Sequence, residues 1–149
     1  ADGGADKRYL AITRGHPPPA LVIDHPIPRE PGGERVPAVT ELTLRETFGR
    51  YALVEARPRT GRLHQIRRHC KHVSCPLIGD VKYGKGEHNR LFRAHHGLHR
   101  LALHASYLGL PHPFGGPAIA VEVPLADDMA GAIASCRAAY NPAPPDPAC

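Results

Sequence analysis

The chain has no tryptophan, a single methionine and only 5% aromatic residues. A groove that binds nucleic acid by stacking successive bases needs many aromatic faces, so any such partner must be recognised through shape, phosphate and a pocket. Cysteine is sparse: Cys70, Cys75, Cys136 and Cys149 form no C-x-x-C pair. Neither a disulfide framework nor paired thiolate zinc ligands are expected, and reduced thiols in a cytoplasmic compartment are the default. No apolar run approaches the roughly 20 residues of a membrane helix, and no charged-then-apolar leader occurs, so neither a membrane span nor a secretory signal is expected.

Positive charge is what the chain does have. Nineteen Lys and Arg against 14 acids give a net charge of +5 and a pI near 9.3, a balance that favours a polyanionic partner. Eleven histidines add charge that depends on pH. The length of 149 residues is one domain's worth, and 42% apolar residues can bury a moderate core.

The chain is organised around Arg57–Gly84, RPRTGRLHQIRRHCKHVSCPLIGDVKYG. Pro58 and Gly61 close the apolar run before them and should end a strand. From Leu63, apolar residues recur at Ile66, Cys70 and Val73, the spacing of one helix face, which predicts a helix from Leu63 that ends before Pro76. Arg67 sits where that stripe meets the surface, and Arg62, His64, Arg68 and Lys71 extend the positive field around it. A planar guanidinium at such a border suits a bidentate carboxylate or phosphate; a solvated basic helix face is the bland alternative.

Around this segment the sequence reads as a strand over Lys7–Thr13, with Tyr9 and Ala11 opposite Leu10 and Ile12, and a short strand over Ala20–Ile23. Pro28 to Pro37 reads as a flexible loop. A hairpin follows, Ala38–Arg45 and Tyr51–Ala56 across Phe48-Gly49-Arg50. Lys85–Arg100 is basic and His-rich without a clean period, so an exposed connection or short helix is expected. Leu101–Leu110 and Ala118–Val123 are further strands, Ile119, Val121 and Val123 lining one face of the second. Ala126–Ala139 carries Met129, Ile133 and Cys136 on a closing helix. A Pro/Ala-rich tail over 141–149 should be disordered, which leaves 1–140 as the folded portion.

TGRLHQIRRH followed by CPLIGDVKYG resembles the third conserved motif of the RNA pseudouridine synthases typified by ribosomal large-subunit synthase A. Lys7-Arg8-Tyr9-Leu10-Ala11-Ile12 with Gly15 is similar to that family's K-x-Y strand. Asn89-Arg90, Gly97, Arg100-Leu101 and Leu103-His104-Ala105 are similar to its tRNA-specific C subfamily. The resemblance covers Lys7 to about Ala139. It implies an α+β pseudouridine-synthase fold, a mixed but mainly antiparallel sheet with packed helices, and an isomerase that breaks the C1′–N1 bond of a uridine, turns the uracil and forms C1′–C5. No redox change is involved, so no cofactor and no metal are implied.

By motif position Tyr9 and Arg67 are the catalytic residues, Tyr9 under the base and Arg67 pairing with a nucleophilic Asp. Arg62, His64, Gln65, Arg68, Lys71, Asn89 and Arg90 are the RNA-binding set, with Arg62, His64 and Gln65 expected mainly to hold the loop and helix start. Asp80 falls in a structural turn and is rejected as nucleophile. The family's H-R-L-D element, which carries the nucleophile, is absent from these residues. The chain is therefore expected to be the C-terminal part of a catalytic domain, inactive alone, with an unpaired sheet edge and an uncovered core. The partner expected is RNA, tRNA rather than ribosomal RNA, bound by a monomer.

Two other readings stand beside this one. A catalytically inactive RNA-binding domain would keep the scaffold and the basic helix. A metal module would use His95 and His99, or His69 and His72 with Cys70 and Cys75, although neither H-E-x-x-H nor paired C-x-x-C spacing is present.

Overall fold

The computed structural model describes residues 4–141 and is built on one six-stranded sheet. Residues 142–149, most of the expected tail, lie outside the described residues. Strand β1 (Asp6–Arg14) is followed by β2 (Ala20–Asp24), the two-residue strands β3 (Ile27–Pro28) and β4 (Arg35–Val36), then β5 (Val39–Phe48) and β6 (Tyr51–Pro58). Helices α1 (Gln65–His72) and α2 (Gly86–His95) precede β7 (Leu103–Leu110), β8 (Ile119–Glu122) and helix α3 (Asp127–Tyr140). The order across the sheet is β2-β5-β6-β1-β7-β8, and β3 and β4 form a separate ribbon.

Every strand pair among the described residues is antiparallel, in keeping with the mainly antiparallel sheet expected. The reason lies in the connections: β5–β6 turns through Gly49-Arg50, with Gly49 at φ 58°, and β7 doubles back into β8. Such short links can join only strands of opposite direction.

Period-two alternation in β6 sends its side chains to two separate cores. Ala52, Val54 and Ala56 pack with Ala11, Leu42, Ile66, Cys70 and Leu77 on the α1 face. Tyr51 packs with Ile12, Phe48, Phe92, Met129, Ile133 and Cys136 on the face covered by α2 and α3. The sheet is thus sandwiched between helices, and the buried residues of β1 fall on both faces.

Four expectations change in the folded chain. Leu63 is 50% exposed and outside the helix, so the buried stripe of α1 is Gln65, Ile66, His69 and Cys70. The segment Pro28–Pro37 is not structureless: its ends pair as β3 and β4, with Ile27 and Val36 buried. Strand β1 begins one residue before the expected Lys7, at Asp6, whose carboxylate accepts from both Arg8 and Arg57.

Lys85–Arg100 holds the fourth change. It contains a ten-residue helix whose His88, Asn89 and Phe92 are buried. The Tyr51 hydroxyl meets His88 Nδ1 at 2.8 Å, and His96 contacts the Ser135 and Tyr140 hydroxyls at 2.8 and 3.0 Å. A sequence this rich in His hides its apolar period because two imidazole rings, His88 and His96, and the Asn89 amide replace hydrophobes in the core.

Burial holds the imidazoles of His69, His88 and His96 below their usual pKa, so they fold as neutral rings. In the unfolded chain they protonate near 6.5. Stability is therefore complete above about pH 6.5 and is lost as pH falls from there toward the lower folded values. Urea midpoints should drop across that window, before carboxylates titrate, and His88→Gln or His96→Gln should flatten the drop; a midpoint unchanged down to pH 5 would contradict it.

At the β8 edge an apolar surface remains open. Leu108 pairs with Val121 and Leu110 with Ile119, so these four side chains share one face, and they are 38–48% exposed. No described helix is long and apolar enough to cross a membrane.

Candidate functional site

A cleft of about 320 Å³ opens between the start of β1, the end of β6 and the N-terminal half of α1. Lys7 and Tyr9 line it from β1, Thr60 to Arg62 from the connecting loop, and His64 to Arg67 from the helix start. Antiparallel pairing sets this meeting: Tyr9 lies opposite Ala56 of β6 and Ala105 of β7, at the centre of the sheet. Tyr9 is half-buried against the α1-side core.

The loop is held by Gln65. Its Oε1 accepts from the Thr60 hydroxyl at 2.6 Å and from the Arg62 amide at 3.1 Å. Its Nε2 donates to the Val39 carbonyl and to Thr40 Oγ1, both at 2.9 Å. Thr40 can then donate to His69 Nδ1 at 2.7 Å, while His69 Nε2 donates to the His25 carbonyl at 2.8 Å. This chain fixes one tautomer of His69 and ties α1 to β5 and to the segment before β3. Thr40, fully buried, had no signal in the sequence beyond its place in an alternating strand.

Gln65 is 4% exposed, with its amide fully engaged in holding the loop and helix start. Asn89 is 5% exposed; it accepts from the Gly79 amide at 2.7 Å and donates to the Asp80 carbonyl at 3.1 Å. It fastens α2 to the turn after Ile78. Arg90 is exposed on α2 and does not line the cleft.

Arg67 is held by a carboxylate within the chain. Its partner is Asp80, with Nε to Oδ2 at 2.9 Å and Nη2 to Oδ1 at 2.8 Å. The Lys82 and Tyr83 amides donate to the same Oδ1 at 3.1 and 2.9 Å. Burial pushes the Asp80 carboxyl up, but the Arg67 hydrogen bonds, the backbone donors and the Arg67 charge outweigh it and hold the group below its usual value. With its side chain fully buried and both oxygens engaged, Asp80 has no path to a substrate. It fixes Arg67, which lines the cleft.

His64 is the N-cap of α1 at φ 53°, a left-handed conformation that costs a non-glycine residue about 1–2 kcal/mol. Its Nδ1 lies 3.2 Å from the Tyr83 hydroxyl, which also accepts from Arg68 Nε at 3.0 Å. Burial, then the charges of Arg67, Lys82 and Arg68, lower the His64 pKa, so the ring is neutral near pH 7. The Arg67 guanidinium carbon lies 5.2 Å from the Tyr83 ring centre. Tyr83 thus braces His64, Arg67 and Arg68 together; the motif placed an aromatic there, but only the fold turns it toward α1.

Arg62 lines the cleft and donates to the Pro37 carbonyl at 2.9 Å. Arg68 and Lys71 face away from it, onto a second cavity. The thiols of Cys70 and Cys136 are buried and pushed up to about 12, so neither is a nucleophile near neutral pH. Among the described residues no group of three His, Cys, Asp or Glu side chains is placed to hold a metal ion.

The site's chemistry is therefore an aromatic ring, a fixed guanidinium and a basic rim around an open cleft. The RNA pseudouridylate synthase family profile matches residues 1–72. The chain is 40% identical over 131 residues to an uncharacterized RNA pseudouridine synthase of Chloroflexus aurantiacus, covering 83% of this chain and 40% of that protein. It is also 40% identical over 130 residues to tRNA pseudouridine synthase C of Vibrio cholerae, covering 73% of this chain and 53% of that one. The structure of human RNA pseudouridylate synthase domain containing 4 superposes with a TM-score of 0.72 at 28% identity, over 89% of this chain and 62% of that one. The chain spans about half the length of the curated relatives it matches.

Proposed function

The chain belongs to the RNA pseudouridylate synthase family, and from that premise we propose that it forms part of an enzyme that isomerises uridine to pseudouridine in RNA, with tRNA as substrate. The observation that carries this reading is the convergence of Tyr9, the Asp80-held Arg67 and the rim residues Arg62 and His64 on one cleft. A uridine turned out of its strand fits such a pocket because its ring can lie on an aromatic face while its flanking phosphates meet arginine.

In the proposed reaction the C1′–N1 bond breaks, the uracil rotates while bound, C1′–C5 forms, and the proton on C5 is released to solvent as N1 gains one. Tyr9 lies under the base and takes part in these proton movements. Arg67, which lines the cleft, faces the anionic centre at the ribose. The nucleophilic carboxylate is assigned to a segment other than these 149 residues, since no H-R-L-D element occurs in them. On this reading the 149-residue chain alone is inactive and the assembled enzyme works in the cytoplasm.

The test is tritium release from C5-labelled uridine in bulk tRNA, run with the full-length protein. The wild type should release label, and Tyr9→Leu should cut the rate by about 100-fold or more, the usual worth of a positioned proton-transfer group, while tRNA affinity is retained. Salt-sensitive tRNA binding by the wild type with no release from tRNA or ribosomal RNA would replace this reading with that of an inactive binding domain.

A further inference from the structure

About half of the 15 arginines on this molecule are neutralised by a carboxylate. Seven among the described residues lie within 4 Å of a carboxylate. One cavity departs from that pattern. It lies between the β3–β4 ribbon and the C-terminal half of α1, has a volume of about 350 Å³, and is lined by His25, Arg35, Arg68, Lys71, His72 and Tyr83 among a few apolar residues. No acid lines it. Arg35 spends its donors on the Pro26 carbonyl at 2.6 Å and on His25 Nε2 at 3.0 Å. A guanidinium can only donate, so His25 Nε2 accepts and the ring is neutral. The His72 ring stacks on His25 at 3.7 Å between centres and 12° between planes, completing one wall. Arg68 is aimed by the Tyr83 hydroxyl. These contacts orient the cations without cancelling them.

Three like charges around one cavity repel each other until an anion enters. The helix dipole does not supply the attraction, because the C-terminal end of α1 repels anions; the side chains must. Tyr83 lines this cavity and contacts Arg68, and it also contacts His64 and Arg67, which line the Tyr9–Arg67 cleft. From His64 to Lys71 the helix climbs about 10 Å at 1.5 Å per residue, so one strand can occupy both.

We propose that this cavity is a second RNA contact, holding backbone phosphates of the strand that continues from the Tyr9–Arg67 cleft across Tyr83. The ribbon from His25 to Arg35 is then a recognition element that closes the cavity over α1. The inference deepens the proposed function, and rests on it in taking RNA as the ligand.

The test measures unmodified tRNA binding to the full-length protein across a salt series. Lys71→Gln is the primary variant, because Lys71 is exposed on α1. Arg35→Gln is the second, since it also removes the Pro26 tether. Arg45→Gln, an exposed arginine paired with Glu55 and outside both cavities, is the control. Each cavity variant should bind about threefold or more weakly near 0.1 M salt and lose about one unit from the slope of log affinity against log salt, as expected for one lost phosphate contact. The control should change neither. Affinity and slope unchanged in Lys71→Gln, or lowered equally in the control, would overturn the proposal. Weakened binding by the cavity variants in a protein that releases no tritium would support the cavity while rejecting the isomerase reading.

Discussion

Arg67→Met in the full-length protein lowers the unfolding free energy by about 3 kcal/mol or more, the usual cost of stripping one partner from a buried ion pair. Asp80 is the reason. Its side chain is fully buried, and without the guanidinium it keeps only the Lys82 and Tyr83 amides as donors. Arg67→Lys should recover little of the loss, because an ammonium cannot make the Nε and Nη2 pair of contacts at once. The double variant Arg67→Met with Asp80→Leu should be less destabilised than the sum of its parts, since no charge is left stranded.

Urea unfolding of the set checks this. A destabilisation below about 1 kcal/mol for Arg67→Met would place the pair with surface bridges, where that is the ordinary range. Activity adds a second readout. Asp80→Asn keeps the Arg67 charge but loosens its aim, so tritium release should fall while tRNA binding holds.

Gly79→Ala is the second large effect, and it reaches Arg67 by another route. Gly79 has φ 80°, and a methyl group there would lie 2.7 Å from the Arg100 carbonyl carbon and 2.8 Å from Leu101 Cα. Both are backbone atoms, so no side chain can rotate aside. The segment they belong to cannot yield cheaply either: the Ile78 amide donates to the Ile12 carbonyl at 2.9 Å, and the Ala102 amide to the Ile78 carbonyl at 2.8 Å. Left-handed strain of about 1–2 kcal/mol adds to the clash, for an expected loss of about 3 kcal/mol or more.

Gly97→Ala separates the two terms. Gly97 has φ 66° and nothing within 4 Å of an added methyl, so only the conformational cost of about 1–2 kcal/mol remains. Thermal melts showing equal losses for the two variants would mean that the close approach of Arg100–Leu101 contributes nothing. Because Gly79 precedes Asp80 and its amide donates to Asn89, Gly79→Ala should also weaken activity beyond its stability cost.

The strands were legible because their alternation survives both faces being covered. β5 and β6 appear within a few residues of their observed ends, and the Gly49-Arg50 turn is where glycine permits positive φ. The α3 stripe of Met129, Ile133 and Cys136 was equally plain, since each is buried as its spacing requires. Helix α1 was legible as a helix but not at its start. The break at His64 is a left-handed residue with no glycine or asparagine to announce it, and Leu63 is turned to solvent as a result. Helix α2 was hidden because His88 and His96 fill core positions as neutral hydrogen-bonded rings, which a pattern of apolar residues cannot register.

By itself the sequence determined the sheet-and-helix composition, the basic character of α1 and the motif that ties the chain to its family. These depend on local periodicity and on residue identity, both of which are written along the chain. Only the tertiary structure decided that Asp80 takes the Arg67 fork, that Gln65 and Asn89 are internal fasteners, and that Tyr83 contacts residues of two basic cavities. Each of these is a pairing across 9 to 26 positions of chain. Which donor reaches which acceptor over such a distance is set by packing of the sheet against its helices, because a buried polar group must take whatever partner the fold brings within 3 Å.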